Sequence, residues 1–435
     1  MCCAGSENLL HVVYLIHREC VYTGMSAACI RNVLPLLYGG IKVMQLHSWT
    51  DDQGKIHVMP SHMSDYPGLL KNFTLGSSGP DASQNVEQYR WACAAVVDAS
   101  RMSGVDVRPD IVADCTSLLA NLTKSHVEEN GENGAQGALM VYGGVPLTIA
   151  HRSPGFTYGF YPLGTLSPGA GGGGALPEGT IEKTLDLWNR RDNHLVPKSV
   201  DPNTQYDQRD DLYYAGMVPL NALAGRGDAA LGNISQFLDT EQEATGCLPL
   251  GTKCPPCDRS IGADRRWNHC ITPTAMYLET NNPVFEGPFM VANGLQEMLL
   301  FGAMGGTTLR PEPATLIKLF PAIPTTWQEA VFSKLRTEGA FVVSARLSQG
   351  LVEGFSITAL SERTEVEIVA SMRSGAELCV NGTRAQTLRR GADGLITGTV
   401  PEGATLLVHA CGSAPPDTTS FLPATGESNH YGYKP

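Results

Sequence analysis

Two carboxylates stand seven residues apart in the segment Thr274–Phe289, immediately before an apolar stretch with helical spacing. Glu279 and Glu286 are the residue type that general acid and base chemistry uses most often after histidine. A carboxylate close to a helix N-terminus is stabilised as the anion, which suits a base and opposes an acid. The spacing alone leaves two interpretations open for Glu286: a catalytic base, or a residue that simply caps the following helix.

Histidine and cysteine supply two further candidate sites. His151 and Arg152 are adjacent, but no partner lies at metal-ligand spacing, so we expect a polar pocket wall or a buried, hydrogen-bonded histidine and no metal. Four cysteines crowd one later segment, with Cys254 and Cys257 forming a CxxC pair next to His269. Thiolates at such spacing can bind zinc, whereas disulfides or buried thiols are the alternative. The four are Cys247, Cys254, Cys257 and Cys270.

A glycine-rich segment, 168–178, has the composition of a phosphate-binding loop. Such a loop requires a preceding strand and a following helix within a βαβ unit, and the sequence predicts neither. We therefore predict a flexible loop and no nucleotide cofactor.

Composition excludes several classes of partner. The chain has 435 residues and a formal net charge of −12, with no clustered Lys/Arg, so we expect no nucleic acid partner. No apolar run reaches the length of about 18 residues that a spanning helix needs, so no membrane span is predicted. The start carries no recognisable signal peptide, although Asn-x-Ser/Thr triplets are compatible with secretion or a vacuolar or lysosomal location. Localisation stays open.

Two types of secondary structure must position the candidate residues. The first three-quarters shows helical periodicity, and the tight turn at Gly225–Asp228 is typical of a helix pair within a hairpin array or toroid. After residue 317, Val, Ile and Thr alternate with polar residues, which predicts a small antiparallel β domain ending near Cys411 and a disordered tail over 412–435. Predicted helices cover about 8–16, 22–38, 85–103, 109–123, 180–190, 210–224, 228–239 and 289–303.

Three sequence blocks, in the same order along the chain, resemble glycoside hydrolase family 95, the α-L-fucosidases. The most specific is Glu286-Gly-Pro-Phe followed by Leu295-Gln-Glu-Met-Leu-Leu, which resembles the family's catalytic Asp-Gly and its Glu-Met-Leu-Leu helix. Leu319-Phe-Pro-Ala-Ile-Pro-x-x-Trp327 resembles the link into the terminal sandwich of that family. His151-Arg152 with Phe160-Tyr-Pro-Leu163 resembles its His-Arg-His…Tyr-Pro loop.

The resemblance implies a mainly α fold, with a partial (α/α)6 toroid over 1–316 followed by a β-sandwich over 317–411. It also implies inverting hydrolysis of an α-linked sugar, such as α-L-fucose, without a cofactor. By position, Glu286 replaces the family's base Asp, and His151 and Arg152 line the sugar pocket. Inversion needs two carboxyls about 6.5–9.5 Å apart. The added methylene of Glu286 can displace the water and cost roughly 100-fold in rate.

The same resemblance shows where this chain departs from the family. The family's acid falls at Val141, which has no proton to give, so Glu279 is the substitute candidate for a second carboxylate. The sequence predicts about eight toroid helices, without the Asn-bearing segment and the leading sandwich, so we expect a chain truncated at its N-terminus. The alternative function is a catalytically inactive relic or a carbohydrate-binding scaffold.

Overall fold

The computed structural model describes most of the helical part of the chain and nearly all of the sheet part. The described residues are 7–59, 61–62, 78–131, 135–144, 155–167, 170–189, 211–243, 270–271, 277–279, 282–284, 286–362, 364–373, 377–384 and 387–418. Their eight α-helices are α1 (Glu7–Thr23), α2 (Ala27–Leu46), α3 (Ser83–Ser100), α4 (Pro109–Asn121), α5 (Thr180–Asn189), α6 (Asp211–Leu223), α7 (Gly227–Glu243) and α8 (Glu286–Leu299).

The first two helices form a hairpin whose turn differs from the sequence prediction. Helices were predicted over 8–16 and 22–38, but α1 continues to Thr23 and α2 begins at Ala27. Gly24 ends α1 in a left-handed conformation (φ +107°), and the Ser26 hydroxyl caps α2 by accepting from the Cys29 amide at 3.2 Å. A disulfide between Cys20 and Cys29 also joins the two helices. The prediction failed because polar residues near the end of α1 hid the continuing helix.

Helix α3 is the centre of the helical layer. It packs against α1, α2 and α4, and sixteen of its eighteen residues are buried, polar ones included. The sequence predicted this helix, over 85–103, from its apolar positions alone. Burial on all sides instead leaves every polar side chain of its first half in need of a partner inside the protein.

The remaining helices continue the layer around to α1. Trp188 of α5 packs edge-on against Tyr213 of α6 at a centroid distance of 5.4 Å. Helix α6 contacts both α7 and α8. Gly294 permits the close approach of α8, because a Cβ atom there would lie 2.3 Å from Val218 Cγ1. From α8, Glu297 Oε1 lies 3.7 Å from Arg18 Nη2, which links α8 to α1.

Two sheets follow α8 and share one apolar core. The first sheet has the order β10-β11-β12-β18-β14-β15, and the second has the order β16-β17-β13-β9-β8. All pairings within them are antiparallel except β9–β13, which is parallel. The strands are β8 (Leu300–Ala303), β9 (Thr315–Leu319), β10 (Glu329–Thr337), β11 (Phe341–Ser348), β12 (Leu351–Ala359), β13 (Glu365–Val369), β14 (Leu378–Val380), β15 (Thr383–Arg384), β16 (Leu388–Arg390), β17 (Ile396–Thr399) and β18 (Thr405–Ala410).

Smaller hairpins accompany the helices. They are formed by β1 (Ser48–Thr50) with β2 (Ile56–Val58), β3 (Ser61–His62) with β4 (Ser78–Gly79), and β5 (Cys270–Ile271) with β6 (Tyr277–Glu279) and β7 (Asn282–Val284). Within the described part of the chain, no helix has the combination of length and hydropathy that crossing a bilayer requires.

The junction between the helices and the sheets corrects one helix boundary. A helix was predicted over 289–303, but α8 begins at Glu286, and the four residues after Leu299 form β8. Strand β8 pairs with β9, so the chain enters the sheet directly from the helix. The apolar run at 300–303 is compatible with a helix and with a strand, and its pairing with β9 makes it a strand.

Candidate functional site

The sequence-predicted carboxylates occupy the end of a hairpin and the start of α8. Glu286 is the first residue of α8 and its side chain is exposed to solvent. Glu279 ends β6 and pairs with Asn282 of β7, while its side chain lies outside the described part of the structure. His151 and Arg152 also lie outside the described residues. Only Glu286 is therefore positioned as an accessible carboxylate at the positive end of a helix.

The position that the resemblance assigns to the general acid lies beside α3. Val141 is fully buried, and its carbonyl oxygen accepts a hydrogen bond from the Ser83 amide at 3.2 Å. Its neighbour Tyr142 is also buried. The first turn of α3 thus borders this position, and the side chain there offers no proton.

Two glutamines project from the first half of α3 into the interior. Gln88 is fully buried and Gln84 is 8% exposed. Both polar atoms of the Gln88 amide, and Oε1 of Gln84, have no hydrogen-bond partner among the residues that the structure describes. Buried amides are almost always partnered by protein or by water, so these atoms are candidates for contact with a water molecule or a ligand.

We call Gln84 and Gln88 the α3 amide pair. Neither residue was selected from the sequence, because the helical periodicity of this region rests on its apolar positions. A signal was present: Ser83-Gln-Asn and Glu87-Gln lie within one turn of the apolar positions Val86 and Tyr89. When such a helix is buried on all sides, the polar side chains beside its apolar stripe need hydrogen-bond partners inside the protein.

A buried ion pair fixes the part of α3 that carries the amides. Arg90 and Glu87 both have side chains with 0% exposure, and Arg90 Nε donates to Glu87 Oε2 at 3.1 Å. The other arm of Arg90 donates to the carbonyls of Gly172 and Thr123, each at 2.7 Å. The second oxygen of Glu87 accepts from the Ser125 hydroxyl at 2.7 Å. Every strong acceptor and donor of the pair is therefore used.

The glycine-rich segment packs over this arginine. At Gly174, a Cβ atom would lie 2.3 Å from the Thr165 carbonyl oxygen and 2.9 Å from Arg90 Cδ. At Gly171, a Cβ atom would lie 2.1 Å from the Thr308 carbonyl oxygen. The prediction of a flexible loop is therefore wrong for residues 170–174. The glycines at 171 and 174 permit this close packing.

Asp81 holds the chain at the entrance to α3. It has a positive φ of +51°, a conformation that non-glycine residues rarely adopt, and it is 4% exposed. Its carboxylate accepts from the Val58 amide at 2.8 Å and contacts His57 Nδ1 at 2.7 Å and His126 Nε2 at 3.4 Å. Burial alone would raise the pKa of Asp81, but these hydrogen bonds outweigh it and lower the pKa. The residue is thus an anion that positions the helix.

A further buried carboxylate, Glu297, lies near the C-terminal end of α8. Glu297 is 6% exposed, and its Oε1 lies 3.7 Å from Arg18 Nη2. Arg18 also donates to the Tyr22 hydroxyl at 2.9 Å and to Tyr161. Burial raises the pKa of Glu297 to about 7, an effect that Arg18 reduces and Glu338 reinforces. A carboxylic acid of this kind could act as a proton donor at neutral pH.

Distance excludes Glu297 as the partner of Glu286. The two residues are eleven positions apart on α8, which corresponds to roughly 16 Å at about 1.5 Å per residue. An inverting pair needs about 6.5–9.5 Å between its carboxyls. Glu297 therefore links α8 to α1 and does not complete a pair with Glu286.

This linkage predicts a pH dependence of stability. Because the pKa of Glu297 is raised from 4.5 to about 7, its protonated form stabilises the fold fully below pH 4.5. That contribution is lost as the pH rises towards 7, with a total of about 3 kcal/mol. Glu297→Gln mimics the protonated form, so we expect it to be more stable than the unsubstituted protein at pH 8 and nearly equal at pH 4.5. Urea unfolding at both pH values measures the difference.

Glu178→Gln, at an exposed position, is the matched control and should show a pH-independent difference close to zero. If Glu297→Gln changed stability equally at pH 4.5 and pH 8, the assigned protonation of Glu297 would be wrong.

The described residues hold no group of three His, Cys, Asp or Glu side chains that could bind a metal ion. Of the four clustered cysteines, Cys270 lies in β5, and Cys247, Cys254 and Cys257 lie outside the described residues. Disulfides join Cys20 to Cys29 and Cys379 to Cys411.

Comparison with known proteins finds distant similarity to solved structures. No protein-family model and no curated protein matches the chain. Among solved structures, the chain is similar to the crystal structure of Streptomyces avermitilis α-L-rhamnosidase complexed with L-rhamnose, with a TM-score of 0.41 and 13% sequence identity. The similarity covers 89% of this chain and 32% of that one, so this chain spans about a third of the length of that protein.

Proposed function

We propose that this protein is a glycoside hydrolase that binds a neutral, α-linked sugar next to α3. The observation that carries this proposal is the α3 amide pair. Gln88 and Gln84 are buried, and three of their polar atoms have no partner within the described structure. An uncharged amide offers both a donor and an acceptor, which matches sugar hydroxyls and gives no advantage to an anionic ligand.

The reaction proposed is inverting hydrolysis of an α-linked sugar such as α-L-fucose, in keeping with the family 95 resemblance. Glu286 is the base: its carboxylate is exposed at the N-terminus of α8, where the helix dipole favours the anion that takes a proton from water. Glu279 is the second carboxylate, and His151 and Arg152 line the sugar pocket. The architecture proposed is a partial (α/α)6 toroid over 1–316 and a β-sandwich over 317–411.

One observation favours a second candidate, a carbohydrate-binding protein without activity. Val141 occupies the position of the family's acid, and it is a fully buried apolar residue. Without a proton donor, an alkyl glycoside would bind, but its glycosidic bond would break slowly because the alcohol leaving group would not be protonated. The amide pair supports sugar binding equally in both candidates, so binding and turnover must be measured separately.

Gln88→Leu separates a binding role from a structural one. Removing a buried amide that lacks protein partners should leave the free energy of unfolding unchanged or increase it. Loss of its hydrogen bonds to a sugar should weaken binding about 10-fold. Calorimetric titration with methyl α-L-fucopyranoside, together with urea unfolding, measures both effects on one variant.

The control is Gln136→Leu, at an exposed glutamine that donates to the Glu129 carbonyl at 3.3 Å. It should alter neither affinity nor stability by more than a small amount. A Gln88→Leu protein that bound the glycoside as tightly as the unsubstituted protein would show that the α3 amide pair does not contact sugar.

Turnover discriminates between the two candidates. A panel of 4-nitrophenyl α-glycosides, with fucoside and rhamnoside included, presents leaving groups that need little help from an acid. We expect hydrolysis of at least one member if the protein is a hydrolase. Binding without release of nitrophenolate from any member would favour the binding protein.

A further inference from the structure

A groove opens between α2, α4 and the β1–β2 hairpin. Its volume is about 300 Å³, at the lower end of the range of about 300–1,000 Å³ for small-molecule sites. The residues that shape it are Gln45, Trp49, Ile56, Tyr89, Asp114 and Leu118. None of the described lining residues is Lys, Arg or His, so the groove carries no positive charge of its own.

Trp49 gives the groove an aromatic wall. Its indole stacks on the His57 ring, with centroids 4.6 Å apart and an interplanar angle of 18°. His57 covers one face and does not line the groove, whereas Trp49 does line it and is 49% exposed. The Trp49 ring is therefore held by His57 while it contributes to the lining of the groove.

The rest of the lining is divided between an apolar floor and a polar wall. Tyr89 and Leu118 are buried and form the floor together with Ile56. On the wall, Gln45 Nε2 lies 3.5 Å from Asp114 Oδ2, a weak contact that leaves both groups able to bond elsewhere. The carboxylate accepts hydrogen bonds, and the amide both donates and accepts them.

We propose that this groove is a separate binding site for one pyranose ring of a neutral sugar. The C–H face of the ring stacks on Trp49, one hydroxyl donates to Asp114, and its neighbour accepts from Gln45. The carboxylate of Asp114, with no lining cation to balance it, disfavours acidic sugars.

The groove is distinct from the proposed site at the α3 amide pair. Gln88 and Tyr89 are consecutive residues of α3, and their side chains point about 100° apart around the helix. The groove thus lies on a different face of α3. The inference does not depend on hydrolysis or on Glu286, and the choice of a neutral sugar follows from the groove's own residues.

The experiment uses the full chain in the Gln88→Leu background, so that remaining binding reports on the groove. The probes are methyl α-L-fucoside, α-L-rhamnoside, α-D-mannoside and α-D-galactoside, titrated by calorimetry into the millimolar range. We expect at least one to bind, and expect Trp49→Ala and Asp114→Ala each to weaken that binding at least 10-fold. Leu46→Ala is the control, because Leu46 is 76% exposed on α2 and does not line the groove.

Two results would overturn the proposal: no binding of any of the four probes in this background, or binding that Trp49→Ala leaves unchanged. Circular dichroism of each variant shows that it is folded. If only the function proposed above were wrong, the pattern would differ. Sugar would still bind in the groove, and Gln88→Leu would bind as much sugar as the unsubstituted protein.

Discussion

Replacing Arg90 by leucine is expected to destabilise the protein by about 3–5 kcal/mol, because it leaves a buried carboxylate without its cation. Arg90 and Glu87 are both completely buried, and no water can replace the lost charge at Glu87. The carbonyls of Gly172 and Thr123 lose their donors as well. Urea unfolding, followed by tryptophan fluorescence and circular dichroism, measures the change.

Two further variants make this test specific. Arg101→Leu removes an arginine with the same i,i+3 spacing at the exposed end of α3, where Arg101 is 61% exposed, and should cost at most about 1 kcal/mol. Glu87→Leu combined with Arg90→Leu removes both charges and should recover a large part of the loss. A cost for Arg90→Leu no greater than that of Arg101→Leu would mean that the pair does not hold α3 in place.

Glu286→Gln is expected to lower kcat by about 100- to 10,000-fold, the usual contribution of a general base. Glutamine keeps the size of the side chain, so KM should change little. An aryl glycoside such as 4-nitrophenyl α-L-fucoside is the appropriate substrate, because its leaving group makes the rate depend less on an acid. The initial rates of nitrophenolate release measure the effect.

Glu312→Gln, at an exposed glutamate on the loop before β9, is the matched control and should retain full activity. Glu286→Asp shortens the side chain and should retain part of it. If Glu286→Gln kept the kcat of the unsubstituted protein, Glu286 would not be the base. If Glu279→Gln abolished activity while Glu286→Gln did not, Glu279 would be the general base.

The elements that the sequence identified best are those with a local cause. The turn at Gly225 ends α6 in a left-handed conformation, as glycine there predicts. Asp228 lies within the first turn of α7, and its carboxylate accepts from the Thr325 amide at 2.8 Å. That contact joins residues 97 positions apart, so no local pattern could indicate it.

The Leu319–Trp327 link shows why a sequence block can be specific without being catalytic. Its Ala322 lies in one apolar cluster with Met298 of α8 and Val218 of α6, and Trp327 packs against that cluster. At Gly227, a Cβ atom would lie 2.5 Å from the Ile323 carbonyl carbon. The block therefore joins the helices to the sheets, and its residue types follow from close packing.

The candidate site was predicted only where chemistry and position coincide. Glu286 was selected because a carboxylate preceded an apolar helix, and its catalytic role stays a prediction. The α3 amide pair and Trp49 were not, since neither their burial nor their exposure follows from their spacing in sequence. Gln88 resembles any surface glutamine until α3 is found to be enclosed on all sides. Periodicity identifies the face that is apolar, and it cannot show that a polar face is also enclosed.

The anomeric form of the first product shows whether hydrolysis proceeds with inversion, as a base-activated water requires. Proton NMR of 4-nitrophenyl α-L-fucoside during the first minutes of hydrolysis distinguishes the two anomers of the released sugar before they interconvert. Inverting hydrolysis releases β-L-fucose first, because a base-activated water attacks the face opposite the leaving group. Release of α-L-fucose first would contradict it, since retention requires a covalent intermediate on a carboxylate nucleophile.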